Sequence, residues 1–169
     1  RVPMIRIPRI GSSEPHEMKR LLPRFQNTLG WTIILLPMAV AVGSASAFFL
    51  WALDAVTRVR FGYPGLLFLL PVGGLFVGAL YQLYGRNAGG GNNLLIDEIH
   101  QPGAGVPRRM APLILIGTLV THLFGGSAGR EGTALQMGGG IAAFFGRLLQ
   151  LDHAHLRILL MAGVAAGFG

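Results

Sequence analysis

The sequence predicts an all-α membrane protein in which some helices cross the bilayer and shorter, re-entrant half-helices enter it without crossing. Three observations lead to this fold class. The 169 residues are 51% hydrophobic and only 12% charged, which is about half the charged share of a soluble domain. The apolar residues are gathered in long runs, and glycine-rich segments separate some of these runs. There is no cysteine, so disulfides and thiolate metal sites are excluded.

Five apolar runs follow one another along the chain: residues 31–53, 63–84, 111–128, 132–146 and 158–169. A helix needs about 20 apolar residues to cross a bilayer, so the first two runs predict complete crossings. The third run is of borderline length, and the fourth is too short for a simple crossing.

The first membrane helix is expected from about residue 29 to residue 54. Its small residues, 43–47, are expected to let another helix pack closely. Asp54, Arg58 and Arg60 would then form an outer turn. A second helix beginning at Tyr63 is expected to kink at Pro71.

Residues 1–28 are expected to form a cytoplasmic arm, and residues 29–169 the transmembrane domain. Six of the 14 Lys and Arg residues lie in the first 24 positions, and basic residues beside a membrane helix favour the cytoplasmic side. The arm lacks interleaved aromatic residues, so no nucleic-acid partner is expected. Residues 16–29 predict a short amphipathic helix that is interrupted at Pro23. The expected location is the inner (plasma) membrane, crossed several times.

Two glycine-rich segments each precede a short apolar segment. Gly89-Gly90-Gly91 and a capping Asn92 predict a helix of about eight residues that ends by Pro102-Gly103. Such a helix is too short to cross the bilayer, and lipid cannot satisfy its open end, so it is expected to be buried in protein. Residues 125–132 predict a second helix start near Glu131. Broken helices of this kind are typical of transporters with a site at mid-membrane.

Helix starts with this composition favour anion binding. Each start carries about half a positive charge and several N–H groups that lack intrahelical partners. Two starts that meet in a dry interior can therefore hold an anion without any lysine. Gly91, Gly129 and Gly132 would let the backbone approach the ion closely.

Glu131 is predicted to act as a gate at this site. Its ionised carboxylate would be attracted to the anion position, and protonation would release it, which couples proton binding to anion binding. Two other readings stay open: Glu131 pairs with Arg130 to hold the helix start, or Arg130 faces solvent as a cytoplasmic charge. A further expectation is that Arg130 braces local carbonyls or another carboxylate.

The segment from Gly125 to Gly132 resembles the G-x-x-x-G-R-E-G-P signature of the CLC chloride channel and transporter family, in which the Glu is the gate. Gln136 and Gly138 continue the match, and residues 163–169 look like the family's next helical segment. The resemblance implies an inverted-repeat fold of two halves, of which this chain would hold the first and be incomplete at its C-terminus. It also implies a homodimer in which each subunit has its own pore.

Two departures from the family pattern resemble its fluoride/proton antiporter branch. Thr133 replaces the signature proline, and Asn92 stands where the family's first anion motif has Ser. Fluoride holds its hydration shell strongly, so many N–H donors must replace the lost water. Thr133 adds an N–H and a hydroxyl, and the Asn92 amide adds two donors. The resemblance thus implies an anion site built from Asn92, Asn93, Leu94, Gly129, Arg130, Gly132 and Thr133, with Asn93 and Leu94 contributing backbone.

The predicted function is export of fluoride in exchange for protons, with no cofactor and no metal. One alternative is a chloride-selective antiporter or channel of the same fold, in which Asn92 and Thr133 are only helix caps. Another is a structural or assembly membrane protein without ion flux. The apolar runs argue against an enzyme.

Other clusters have simpler interpretations. The glycine triplets 89–91 and 138–140 lack the Lys of a phosphate loop, and helix packing is the better interpretation. His153 and His155 lack a third metal ligand and are assigned to a turn. His122 is expected to be a hydrogen-bonded interior residue rather than a proton relay. Asp97, Glu98 and His100 are expected to face the cytoplasm rather than to act in catalysis.

Overall fold

A computed structural model describes residues 14–85, 88–101 and 105–168 of the protein. The predicted irregular arm at residues 1–13 and the predicted helix end at Pro102-Gly103 lie outside the described residues. The chain divides into two compact units, residues 1–34 and 35–169. The domain boundary predicted between residues 28 and 29 stays a prediction.

Every element of the described residues is a helix, which confirms the predicted all-α class. The elements are α1 (Glu14–Gly62), a 3-10 helix (Pro64–Leu69), α2 (Leu70–Tyr84), α3 (Gly91–His100), α4 (Met110–Leu123), α5 (Arg130–Leu148) and α6 (His153–Phe168). Two stretches, Leu29–Gly62 and Pro64–Tyr84, are long and apolar enough to cross a membrane by length and composition. Much of their large apolar surface is exposed in the chain, as at Phe68 and Leu75.

The first helix differs from its prediction at both ends. The predicted interruption at Pro23 is wrong, because α1 is helical from Glu14 onwards; a proline removes one hydrogen bond but need not end a long helix. The predicted turn at Asp54, Arg58 and Arg60 is also wrong. Asp54 and Arg58 form an ion pair four residues apart on the exposed side of the helix, a spacing that places both side chains on one helical face.

The segment after α1 also differs from a single kinked helix. Tyr63 precedes a 3-10 helix of six residues, and α2 begins at Leu70, so that Pro71 lies in its first turn. A proline in the first turn loses no intrahelical hydrogen bond because that N–H would lack a helical acceptor in any case.

α5 and α6 form the most closely packed pair of helices. They run antiparallel and are joined by residues 149–152: Gly138 lies against the Gly163 carbonyl, and Gly167 lies against the Ala134 carbonyl. No side chain separates the two backbones at these points, which confirms packing as the role of the 138–140 triplet. Close packing predicted for residues 43–47 is wrong at Gly43, where a methyl group would meet no atom within 4 Å.

The core lies between α1, α4 and α5. Phe49, Leu53 and Met137 are almost fully buried, and partly buried residues of α4 such as Ile114 and Leu115 pack around them. This packing holds the start of α5 beside α1 and α4. α3 has only 10 residues, or about 15 Å of helix, so it is too short to cross a bilayer.

Candidate functional site

The start of α5 presents three backbone donors. Gly129 is the N-cap, with extended dihedral angles (φ −66°, ψ 115°). The N–H of Thr133 donates to the Gly129 carbonyl over 3.3 Å. Within the part of the chain that the structure describes, the N–H groups of Arg130, Glu131 and Gly132 have no hydrogen-bond acceptor. These are the unsatisfied first-turn donors that attract an anion.

The start of α3 presents a donor in the same way. Gly91 has φ +54°, a left-handed conformation that glycine adopts without strain. The N–H groups of Asn93 and Leu94 both donate to the Gly90 carbonyl, over 3.1 and 3.4 Å. They are therefore not the free donors that the sequence analysis expected. Among the described residues it is the Asn92 N–H that has no acceptor.

The two helix starts meet, although 40 residues of sequence separate them. A methyl group built on Gly132 would lie 3.5 Å from the Asn92 amide nitrogen, and one built on Gly91 would lie 3.4 Å from the Gln136 amide nitrogen. About one turn farther along both helices, a methyl group built on Gly139 of α5 would lie 2.6 Å from the Leu95 side chain of α3. α3 therefore packs along α5, with the starts of both helices at the same end of the pair.

Gln136 was not among the predicted site residues. Its side chain is buried to 9% exposure and lies beside Gly91, where α3 begins. The available signal was its position four residues after Gly132, which places both residues on one face of α5.

Neither Asn92 nor Thr133 caps its helix, so the interpretation of both as helix caps is wrong. The N-cap residues of α3 and α5 are Gly90 and Gly129, and neither helix has a side-chain cap. The Thr133 hydroxyl donates to the Gly129 carbonyl over 3.0 Å, and its oxygen lies 2.7 Å from the Thr118 hydroxyl of α4. Because the Thr133 proton is used on Gly129, Thr118 is the donor between the two hydroxyls. Both side chains are almost fully buried.

Glu131 and Arg130 are both exposed in the chain. They form no ion pair with each other, and neither side chain has a hydrogen-bond partner among residues 14–85, 88–101 and 105–168. The expectation that Arg130 braces a carbonyl or a carboxylate is therefore wrong for this part of the chain. The interpretation in which Arg130 pairs with Glu131 is likewise unsupported.

Two cavities lie beside these residues: Arg130 lines both of them, and Glu131 lines the first. The first, about 240 Å³, is lined by residues of α1, α5 and α6: Ser46, Phe49, Leu50, Arg130, Glu131, Ala134, Gly167 and Phe168. The second, about 270 Å³, is lined by Leu50, Leu53, Asp54, Thr57, His122 and Arg130. His122 Nδ1 lies 2.9 Å from the Thr118 carbonyl, as expected of a hydrogen-bonded interior histidine.

Two polar clusters away from the helix starts have structural partners. Glu98 is 5% exposed and accepts the Gly105 N–H over 2.8 Å, so it is not the solvent-facing residue that the sequence analysis expected. Asp152 accepts the His155 N–H over 3.0 Å at the start of α6. This hydrogen bond and the contact with the His155 ring hold the pKa of the Asp152 carboxyl below its usual value.

Comparisons with known proteins agree with this architecture. Residues 73–169, more than half of the chain, match the family model for the voltage gated chloride channel. A chloride/fluoride channel protein of Pseudomonas syringae pv. tomato is 50% identical over 138 residues, which cover 82% of this chain and 30% of that protein. These relatives are channels and antiporters and not enzymes, as expected.

A solved structure is similar as well. The crystal structure of a CLC-type fluoride/proton antiporter matches with a TM-score of 0.78 at 34% identity, over 83% of this chain and 36% of that chain. The chain thus spans about a third of the length of the relatives that it matches. It belongs to the voltage-gated chloride channel (CLC) family, whose fold the sequence analysis predicted.

Proposed function

We propose that the chain is part of an antiporter that exports fluoride in exchange for protons, with Glu131 as its gate. The observation that carries this proposal is the meeting of two helix starts that hold unpaired N–H groups: three on α5, at Arg130, Glu131 and Gly132, and one on α3, at Asn92. Gly132 and Asn92 mark the point of closest approach. An anion held there would be bound by backbone dipoles, and no lysine would be needed.

The gate follows from the place of Glu131 within this arrangement. Its own N–H is one of the unpaired donors. The N–H groups of the two neighbouring residues, Arg130 and Gly132, are the others on α5, so the Glu131 carboxylate is tethered beside all three. An ionised Glu131 would compete with the transported anion for these donors, whereas a protonated Glu131 would not. One proton would thus open the site to one anion.

Selectivity for fluoride is supported by the donors around the site. The Asn92 amide lies beside Gly132 and adds N–H donors to those of the backbone. Thr133 acts indirectly, because its hydroxyl and its N–H both hold the Gly129 carbonyl. Asn93 and Leu94 shape the start of α3 in the same indirect way. The similar antiporter of known structure is described as a fluoride/proton antiporter.

Chloride transport is the second candidate, because the similar bacterial protein is described as a chloride/fluoride channel protein. A channel would conduct whether or not Glu131 can bind a proton. The location in the plasma membrane, the cytoplasmic N-terminal arm and the homodimer expected from the family are further parts of the proposal.

The test is anion efflux from liposomes that contain the full-length protein, followed with fluoride and chloride electrodes in parallel. We expect fluoride release that drives proton uptake, and loss of this coupling in Glu131→Gln. Asp97→Asn, an exposed carboxylate on α3, is the matched control and should keep the coupling. Coupling that survives in Glu131→Gln would refute the gate.

The selectivity test uses Asn92→Ser in the same liposomes. We expect the ratio of fluoride to chloride efflux to fall, since two amide donors are replaced by one hydroxyl. Gln101→Ser removes an amide at the opposite end of α3 and should leave the ratio unchanged. Chloride efflux as fast as fluoride efflux in the unaltered protein would instead assign it to the chloride-transporting members.

A further inference from the structure

The hydroxyl of Ser46, in the middle of α1, is a buried donor without a partner among the described residues. Hydroxyls on helices usually donate to the carbonyl four residues back. Thr57 and Thr121 do so in this chain, each over 2.7 Å. A buried hydroxyl without a partner is unfavourable, so Ser46 is expected to gain one in some state of the protein.

Ser46 shares a cavity of about 240 Å³ with Glu131. Apart from Ser46, Arg130 and Glu131, the lining is glycine, alanine, leucine and phenylalanine. Among the described residues of this lining, Glu131 is the only acidic one. A carboxyl group that enters such an apolar space is favoured in its protonated form and still needs a hydrogen-bond partner.

We propose that the Ser46 hydroxyl forms a hydrogen bond with the protonated Glu131 carboxyl after that side chain leaves the anion site and turns toward α1. Ser46 is then a positioning residue for the gate, and this role rests on the proposed function. The anion site and the cavity lie at the same turn of α5, so rotation of the Glu131 side chain carries its carboxyl between the two.

Among the described residues, three other charged or titratable groups line the two cavities beside Glu131. Arg130 of α5 lines the same cavity. Asp54 of α1 and His122 of α4 line the neighbouring cavity, which also contains Arg130. α6 contributes Gly167 and Phe168, neither of which titrates.

The Ser46 bond would set the pH range in which the gate opens. A hydrogen bond to the released, protonated carboxyl favours the protonated form, so protonation occurs at a higher pH when Ser46 is present. Removing the hydroxyl should therefore lower the pH at which fluoride efflux is half-maximal. A hydrogen bond to a buried carboxyl supports a shift of about one pH unit.

The test compares pH profiles of fluoride efflux from liposomes that contain the full-length protein or its variants. We expect Ser46→Ala to move the half-maximal pH downward by about one unit, and Ser46→Thr to keep the value of the unaltered protein. Ser44→Ala is the matched control: Ser44 is exposed on the same helix, and the profile should not move. If Ser46→Ala does not yield folded protein, Ser46→Cys carries a weaker donor and should shift the profile less in the same direction.

An unchanged profile in Ser46→Ala, or in Ser46→Cys where it takes its place, would overturn the assignment. So would an equal shift in Ser44→Ala. These outcomes are distinct from failure of the gate itself, which is read from Glu131→Gln. If coupling is lost in Glu131→Gln and the Ser46→Ala profile is unchanged, the role of Ser46 alone is refuted.

Discussion

The hydroxyl pair between α4 and α5 gives a prediction that can be worked out from its geometry. Thr133→Val keeps the shape of the side chain and removes its hydroxyl. The bond of 2.7 Å to Thr118 is lost, and an interhelical hydrogen bond in a membrane protein contributes about 0.6 kcal/mol on average. The Thr118 hydroxyl is then buried without its acceptor, which costs about 1 kcal/mol more. The expected loss in the free energy of unfolding is about 1.5 to 2 kcal/mol.

Thr118→Val should be milder, because Thr133 keeps its bond to the Gly129 carbonyl. In the double variant the bond is lost only once and no hydroxyl is stranded, so its loss should be smaller than the sum of the two single losses by about 1.5 kcal/mol. The assay is the free energy of unfolding of the purified full-length protein in mixed detergent micelles. Thr57→Val, whose hydroxyl bonds within its own helix, is the control and should add to Thr133→Val without coupling. Strict additivity of the Thr118 and Thr133 variants would refute the reasoning.

Two further predictions concern helix packing and pH. Gly138→Ala should destabilise the protein by about 3 kcal/mol, because the new methyl group meets the backbone carbonyl of Gly163. Gly43→Ala is the control and should be neutral or stabilising, because its methyl group meets no atom within 4 Å. Both effects are measured as free energies of unfolding in micelles. The hydrogen bond from the His155 N–H lowers the pKa of Asp152. The stability that this bond contributes is therefore fully present above the carboxyl's ordinary pKa of about 3.9. It is lost as the pH falls through the lowered pKa. The thermal midpoint should therefore fall more between about pH 5 and pH 2 in the unaltered protein than in Asp152→Asn, and equal falls would contradict the assignment.

The sequence predicted the start of α5 within one residue, because glycines before an Arg-Glu pair leave few other places for a helix to begin. It also predicted that α3 is short. It does not predict the extension of α1 through Asp54, Arg58 and Arg60, because a cluster of charges between two apolar runs also indicates a turn. The spacing of four between Asp54 and Arg58, which suits one face of a helix, was the signal for the correct reading.

The contacts that build the candidate site were beyond prediction from one sequence. Asn92 meets Gly132 and Thr118 meets Thr133 only because α3 and α4 both pack against α5. Local patterns specify which face of a helix is apolar but not which other helix covers it. The family resemblance named Asn92 and Thr133, whereas the partners that define what they do came from the structure.

The antiparallel pairing of α5 and α6 also bears on how the site is assembled. Only residues 149–152 join the two helices, so little chain entropy is lost when they associate. Contacts that are close in sequence form early in folding, and we expect this hairpin to be complete before α1 and α3 dock on it. The backbone donors of α5 would then be fixed in place first, and the partner donor at Asn92 would arrive later. On the proposed function, a newly inserted chain would have no finished ion path until α1 and α3 have docked on this hairpin, which would protect the membrane from leaks during biogenesis.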